Sequence, residues 1–560
     1  MKNLEPTKRI IYNLPRSENG ERNIDQGTEK TRNILRKMTI KRISLQWLIL
    51  ATWMVGDYSS AQEVKTRLPH GYREVGLDKA AALRDLCQAT AETGLFSGAV
   101  LVADKGEVIY QEAFGLANRE WNIPNTTDTK FRLASVSKQF CTMVIMQLVP
   151  EGKVNLDDKI TDHLSYYRKD TGDKITIHHL MSHQSNIKDF TPSFDYRGSI
   201  SRLSFDKDEF IQQHCSGDLS NEPGTIYSYC NAGYLILGRI IEKVTRKTFE
   251  KNIEERIFEP LGMKNSGYDR NRYVLEKRAD GYTRGHFGYT KADYMEMDSS
   301  PGAAGSLYST VKDMFLWDRA LYTDQLLDQE NRKLMFTPNR DVPEVKAAGG
   351  RAQSRYGYGW QIYTRSHPVT KRRTKVINHG GAINGFRAME NRLVDDDSFI
   401  IVLCNQGDSF GNSDVWKSVV NLSTELIHIV TDQPFRMPGK ARLSQDQLLY
   451  TMVKRDGLEA SIEWFKAKGK KAAWGGTNMA LAQQLIDDGS VDDGLRFMEL
   501  EIELSPGKAW LLRKTAEACL SNGRPEKALT IAKRGLELKP DDEKLQTLKS
   551  EAEKDLESLR

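Results

Sequence analysis

Ser135 and Lys138 stand three residues apart in ASVSK (134–138), at the head of a run in which Val136, Phe140, Met143 and Val144 recur at helical spacing. Three residues is less than one helical turn, so a core-facing apolar stripe leaves the hydroxyl and the amine together on another face. A lysine buried beside a hydroxyl loses its proton to desolvation, because a low-dielectric site disfavours the charged form. The neutral amine then accepts the serine proton. A helix N-terminus adds N–H groups and the positive end of the dipole, both of which favour a developing oxyanion. Alone, Ser-x-x-Lys carries little weight, since both residues are common on solvated helices.

Two later segments supply what such a pair needs. PGTIYSYCN (223–231) leads into a buried helix expected to begin near Gly233, and its extended approach projects Tyr229 and Asn231 the same way, with the Cys230 thiol turned from the cleft. A phenol relays a proton and an amide holds an acyl chain. NHGGA (378–382) follows the strand-like KVI, where glycines let a substrate lie against a strand edge. Other chemistries find less support. His179 and His183 are one helical turn apart beside His178, but there is no His-Glu-x-x-His pattern, so no metal is expected. No Gly-x-Ser-x-Gly elbow and no phosphate-binding Gly-x-x-x-x-Gly-Lys occurs, and no cofactor is implied. The six cysteines lack paired spacing and read mostly as small core residues, with a disulfide or two open if the protein is exported.

The elements that must position these residues are legible in outline. SGAVLVADKGEVIYQEAFGLAN (97–118) alternates on both sides of Asp104-Lys105-Gly106 and reads as a β-hairpin. From about 131 to 322 the pattern is mainly helical, with Asn186 a candidate left-handed stop for the histidine-bearing helix. Strand character returns at GWQIYTR (359–365), KVINHGG (375–381) and the two runs flanking Asp395-Asp396-Asp397. Strands at both ends with helices between predict one sheet assembled from distant segments, with a large helical subdomain inserted, an α+β fold.

Of the 81 basic and 76 acidic residues, 11 and 6 fall in residues 1–61, which leaves 70 of each in the body. A neutral body gives no electrostatic case for nucleic acid. Residues 38–61 read as an export signal: Lys41 and Arg42, an apolar run from Ile43 to Gly56, then Ser59-Ser60-Ala61 for cleavage. Residues 1–37 are a non-structural leader, with Met38 an alternative start. Uncleaved, the same segment would anchor the protein. Either way the body is expected outside the cytoplasm, periplasmic or secreted. After a linker at 431–445, residues 446–560 repeat with a period of 34: Ala482 with Ala516, Gly489 with Gly523, Leu495 with Leu529, Leu504 with Leu538, and Pro506 with Pro540. The period resembles tetratricopeptide repeats, and stacked helix pairs of that kind raise the expectation of a protein partner or a structural prop.

The domain expected at 62–430 resembles, over roughly Leu77 to Ile429, the serine β-lactamase and penicillin-binding protein superfamily, in its class C-like branch of DD-peptidases, D-aminopeptidases, esterases and β-lactamases. Beside the three motifs, ITIHHLMSHQS (175–185), IFEPLGMKNS (257–266), AAGSLYST (303–310) and YGYGW (356–360) occur in the family's order. The resemblance implies an antiparallel sheet flanked by helices and an acyl-enzyme mechanism without a metal. Ser135 would be the nucleophile, Lys138 the base, Tyr229 a proton relay, and Asn231 a partner of lysine and substrate. His379, Gly380 and Gly381 would form the substrate-binding strand, with the N–H groups of Ser135 and Ala382 as oxyanion hole. His379 stands where β-lactamases have lysine. Gly380 replaces the threonine whose hydroxyl helps hold a carboxylate, so peptides ending in D-Ala and penicillins are disfavoured, and Gly380→Thr is expected to restore them. The implied activity is hydrolysis of amides or esters, of D-amino-acid or cell-wall peptides or small esters. β-Lactamase or DD-carboxypeptidase action is one alternative, and a penicillin-binding-like sensor or scaffold with little turnover is the other.

Overall fold

The computed structural model describes residues 68–558, apart from residues 194–195, 197–198, 286, 339–344, 347–352, 409–413, 440–444 and 468–476. The leader expected at 1–37 and the export signal expected at 38–61 lie outside the described residues.

The expected hairpin forms as β1 (Gly98–Asp104) and β2 (Glu107–Phe114), turning through Lys105 in the left-handed region (φ 53°). The rest of the sheet comes from the far end of the domain: β3 (Val345–Lys346), β4 (Gln353–Tyr356), β5 (Gln361–Ser366), β6 (Arg373–Ile383), β7 (Phe386–Leu393) and β8 (Ser398–Cys404). Their order is β3-β4-β5-β6-β7-β8-β1-β2, antiparallel throughout. β8 on β1, in register from Phe399 with Ala103 to Cys404 with Gly98, ties the two ends together. β8 is buried along its whole length, which is why SFIIVLC is continuously apolar instead of alternating.

Five helices matter for the site: α1 (Lys79–Glu92), α2 (Ser137–Leu148), α3 (Asn231–Thr245), α4 (Val311–Ala320) and α5 (Asp414–Val430). Leu83 and Leu86 of α1 and Val419 and Leu426 of α5 cover one sheet face with Val100, Ile400 and Val402. The other face, with Leu101, Phe399 and Ile401, packs on the inserted helices, among them α2. Val136, Phe140, Met143 and Val144 are buried as their spacing predicts, but so is every residue from Ser137 to Met146. α2 is a central helix with no wet face, and Phe140 stacks on Trp317 of α4 at 4.4 Å between ring centroids. Its polar side chains are satisfied from inside: Trp317 Nε1 donates to Gln139 Oε1 (2.9 Å), Gln139 Nε2 to Glu390 Oε2 (2.6 Å), and Thr142 Oγ1 to the Tyr358 carbonyl (3.1 Å).

Three boundaries differ from the sequence expectation. α3 begins at Asn231, not near Gly233, because a carboxylate from another segment, Asp189, accepts the Asn231 N–H (3.0 Å) and caps the helix that Cys230 has no side chain to cap. The histidine-bearing helix, Ile177–Met181, ends before Asn186; His183 (φ 58°) is the first left-handed residue, and Asn186 (φ 56°) follows in the same region. The linker expected from 431 starts later, since Phe435–Arg436 pairs antiparallel with Tyr72–Arg73 and Phe435 is buried, closing the domain.

Beyond it the described residues form helices: α6 (Gln445–Asp456), α7 (Leu458–Ala467), α8 (Thr477–Asp487), α9 (Val491–Leu504), α10 (Ala509–Ser521), α11 (Pro525–Leu538) and α12 (Glu543–Ser558). α8 packs on α9, α10 on α11 and α11 on α12. The period of 34 is written into these bounds, α11 starting and ending 34 residues after α9. Ala482 and Ala516 are both fully buried where helices approach, and Gly489 and Gly523 both take positive φ in the connecting turns.

Candidate active site

Ser135 lies in a single 3₁₀ turn, Ala134–Val136, that runs straight into α2. With three residues per turn, positions i and i+3 eclipse, and Lys138 Nζ comes to 3.0 Å from Ser135 Oγ. Ala134, immediately before the serine, is held at φ 50°, a left-handed conformation that costs about 1 kcal/mol or more for a residue with a Cβ and that the packing around it must sustain. The serine is half-buried and the lysine fully buried.

Lys138 has three oxygen neighbours: Ser135 Oγ, Asn231 Oδ1 (2.9 Å) and the carbonyl of Ala304 (3.0 Å). Burial brings its pKa down to about 7, with the Asp189 carboxylate opposing the shift. A neutral amine has two hydrogens and one lone pair. The two carbonyl oxygens can only accept, so both hydrogens go to them and the lone pair is left for the serine O–H. The Asn231 amide is oriented by its other end, since Nδ2 donates to Asp189 Oδ2 (3.1 Å) and Thr191 Oγ1 (3.2 Å). Tyr229 is half-buried with its ring centroid 5.0 Å from Lys138 Nζ. Desolvation pushes its phenol upward, opposed by a hydrogen bond with Ser135, so it is present as a neutral O–H. Cys230 points the other way, its Sγ–H towards the Ile187 carbonyl (3.4 Å), and burial pushes the thiol up to about 12.

β6 outruns its neighbour β5, which pairs with it only as far as Asn378. The ladder starts from His367 N–H donating to the Arg372 carbonyl (2.8 Å), and alternation from there directs the backbone groups of Thr374, Val376 and Asn378 to β5. Gly380 and Ala382 continue that phase along an edge that β5 no longer covers, so the Ala382 N–H faces the cleft that Ala382 lines together with Ser135. A Cβ at Gly381 would stand 2.2 Å from the Leu133 carbonyl oxygen; the missing side chain is what lets the strand lie against the Ser135 turn.

The sequence expectation for His379 and Gly380 needs correcting. His379 is buried, with Nδ1 2.7 Å from the Gly380 carbonyl and Nε2 2.9 Å from Tyr356 Oη. Since a carbonyl only accepts, Nδ1 carries the proton and Nε2 accepts from the tyrosine. Burial, with Lys138 nearby, takes its pKa down to about 3. The imidazole is neutral and offers no charge to a substrate carboxylate. At Gly380 a Cβ would lie 2.7 Å from Trp416 Cη2, so a threonine there meets an indole and does not simply regain a hydroxyl.

The cleft has a volume of about 600 Å³ and runs from Ser135, Asn231 and Ala382 past Tyr196, Thr283 and Asp293 to Arg387 and Asp408. Arg387, the one cation among its described lining residues, is already occupied by the Ile383 and Phe386 carbonyls (3.0 and 2.7 Å) and by Asp408 (3.3 Å). His183 sits behind the site with its ring centroid 4.2 Å from that of Tyr229; its Nδ1 accepts the Cys230 N–H (3.1 Å) and burial holds it neutral. His179 Nδ1 accepts the Thr176 N–H, so the two histidines serve separate backbone groups. Asp189, Thr191, the Ala304 carbonyl and Tyr356 escaped the sequence reading. Each acts through atoms brought from a loop or a distant segment, and no local spacing signals that.

The beta-lactamase family model matches residues 82–421. Over 409 residues the chain is 27% identical to a penicillin-binding protein of Bacillus subtilis (strain 168), covering 69% of this chain and 85% of that one. It is 28% identical over 320 residues to a D-aminopeptidase of Brucella anthropi, covering 55% of this chain and 56% of the relative. The crystal structure of a penicillin binding protein from Bacillus halodurans superposes with a TM-score of 0.51 at 26% identity, covering 60% of this chain and 98% of that one. A family match over more than half of the chain, on an antiparallel sheet with a serine and a buried lysine at its cleft, has one reading: the chain belongs to the beta-lactamase family, in the superfamily of serine beta-lactamases and penicillin-binding proteins.

Proposed function

We propose that this serine hydrolase works through an acyl-enzyme on amide or ester bonds of D-amino-acid peptides or small esters. The observation that carries the reading is the arrangement at Lys138, a fully buried amine whose two hydrogens are taken by carbonyl oxygens while Ser135 Oγ lies 3.0 Å from Nζ, facing its remaining lone pair.

In the first half-reaction the Ser135 proton passes to Lys138 as Oγ bonds to the substrate carbonyl carbon. The N–H groups of Ser135 and Ala382, with the α2 dipole behind them, hold the oxyanion. The proton on Lys138 then travels by way of the neutral Tyr229 hydroxyl to the departing nitrogen or oxygen as its bond to carbon breaks. Water reverses the sequence and frees the acid. The printed name of one relative, D-aminopeptidase, supports a D-aminoacyl substrate. A neutral buried His379, an engaged Arg387 and an indole beside Gly380 leave the described cleft without a carboxylate receptor, which argues against β-lactamase and DD-carboxypeptidase action. The apolar, small-residue-terminated segment at 38–61 supports export, and the helical repeats support a protein partner or a prop for the hydrolase domain.

The test is intact-protein mass and product analysis after exposure to benzylpenicillin, to an activated short-chain ester and to a D-alanyl amide, with Ser135→Ala beside the wild type. A Ser135-dependent adduct or product from the ester or amide is expected. Turnover retained in Ser135→Ala removes the nucleophile assignment. Absence of adduct and product from all three shifts the reading to a sensor or scaffold.

A further inference from the structure

We propose that Asp189 is a positioning residue for this hydrolysis, locking the Asn231 amide with its oxygen on Lys138 and supplying the fixed negative charge against which the lysine releases its proton. The proposal rests on the serine–lysine reading above and adds to it a residue from a loop that carries none of the three motifs.

Asp189 touches Asn231 twice: Oδ1 accepts the backbone N–H at 3.0 Å and Oδ2 accepts from Nδ2 at 3.1 Å. A carboxylate is acceptor-only, so it selects the NH₂ end of the amide and turns Oδ1 to Lys138 Nζ, 2.9 Å away. Flipped, the same amide would set its own hydrogens against those of the amine and free the lysine to turn a hydrogen towards Ser135 in place of its lone pair. Thr191 Oγ1 joins the grip, donating to Asp189 and accepting from Asn231 Nδ2. The backbone contact has a second effect, because it caps α3 at Asn231 and so fixes where that side chain leaves the helix.

The charge acts as well as the shape. Around Lys138 the other groups are uncharged near neutral pH: the Tyr229 and Tyr234 rings at 5.0 and 5.4 Å, His183 and His379 held neutral by burial, and the Cys141 and Cys230 thiols pushed upward. Asp189 is the carboxylate whose field favours protonated lysine against desolvation. It keeps the amine basic enough to take a serine proton while burial keeps it free to do so.

The experiment is the pH profile of kcat/KM for a D-alanyl p-nitroanilide, from pH 5 to 9, on full-length wild type, Asp189→Asn, Asp189→Glu and Ser135→Ala. Asp189→Asn is expected to lower the plateau by roughly tenfold or more through a misplaced amide, and to move the acid limb down by on the order of one pH unit through loss of the charge. Asp189→Glu keeps the charge, so its limb is expected at the wild-type position with a reduced plateau. A reduced plateau with an unmoved limb in Asp189→Asn makes Asp189 merely structural and overturns the proposal, as does an unchanged profile. Should Asp189→Asn fail to fold, a limb displaced in Asp189→Glu overturns it equally. Turnover persisting in Ser135→Ala is a different failure, that of the hydrolase reading itself.

Discussion

Two buried groups titrate against each other's trend. Glu390 faces His379 across the β6–β7 pair and is fully buried; one oxygen accepts from Gln139, and burial pushes the carboxyl up to about 8 from an ordinary 4.5. The unfolded chain therefore releases this proton first, so folding takes up a proton and stability falls as pH rises from about 4.5 to 8. Lys138 runs oppositely: its folded value of about 7 lies below the ordinary 10.5, so its contribution rises with pH across that higher window. Between pH 5 and 7 Glu390 dominates the pair. Glu390→Gln removes its slope, and thermal melts are expected to show the variant gaining on wild type by a few kcal/mol across that span. A constant difference between the two proteins would mean that Glu390 is ionised in the fold. In the rate, the sign at Lys138 is simple: the base must be neutral, so kcat/KM is expected to fall as pH drops through about 7.

The element that shapes one wall of the cleft is β6. Its outrunning of β5 opens an edge, Gly381 lets that edge approach Ser135, and Gly380 makes room for Trp416 of α5. α5 is pinned in turn by Asp408, which accepts the Val415 and Trp416 N–H groups at 2.6 and 3.2 Å and also holds Arg387. Gly380→Thr is therefore expected to cost about 1–3 kcal/mol through overpacking and to bring no reactivity towards penicillins or peptides ending in a carboxylate. Intact-protein mass after benzylpenicillin and a melting curve check both halves; a penicilloyl adduct on a stable variant would show that the indole yields. The threonine gains its function only if Trp416 is made smaller in the same chain.

Across the whole molecule, one hairpin serves both halves of the described chain. Its strands, Tyr282–Arg284 and Tyr289–Lys291, pair with each other, and the first also pairs with Gln406–Asp408, so Thr283 and Asp408 line the cleft at its base. Near its tip Phe287 packs on Tyr450 of α6, with ring centroids 5.1 Å apart, joining the core of the helical repeats. The Phe287–Tyr450 ring contact is one tie between the hydrolase domain and the helices that follow it, and interfaces between domains of one chain commonly yield to relative motion. Phe287→Ala is expected to remove about 0.5–1.5 kcal/mol of aromatic contact and to split thermal unfolding into two transitions, while leaving hydrolysis of a small ester unchanged. A single unaltered transition would place the coupling elsewhere along the repeats.

The motifs that bear the chemistry were legible because they are local: a serine and lysine three apart, a tyrosine and asparagine flanking a cysteine, two glycines after a strand. So were the hairpin at Lys105, the join between distant strands and the 34-residue period, since alternation, turn residues and buried small residues are properties of short windows. A spacing of three also sufficed to bring Ser135 and Lys138 together, here across the 3₁₀ turn that leads into α2. What it left open was every choice made by an atom from elsewhere. Asp189 caps α3 two residues early, Tyr356 and the Gly380 carbonyl turn His379 into a neutral buried group, and Trp416 fills the place where a threonine was expected to work. Spacing sets which side chains of one element share a face. Only the packing of several elements decides which of those faces is dry, and desolvation is what sets the protonation of Lys138, His379 and Glu390.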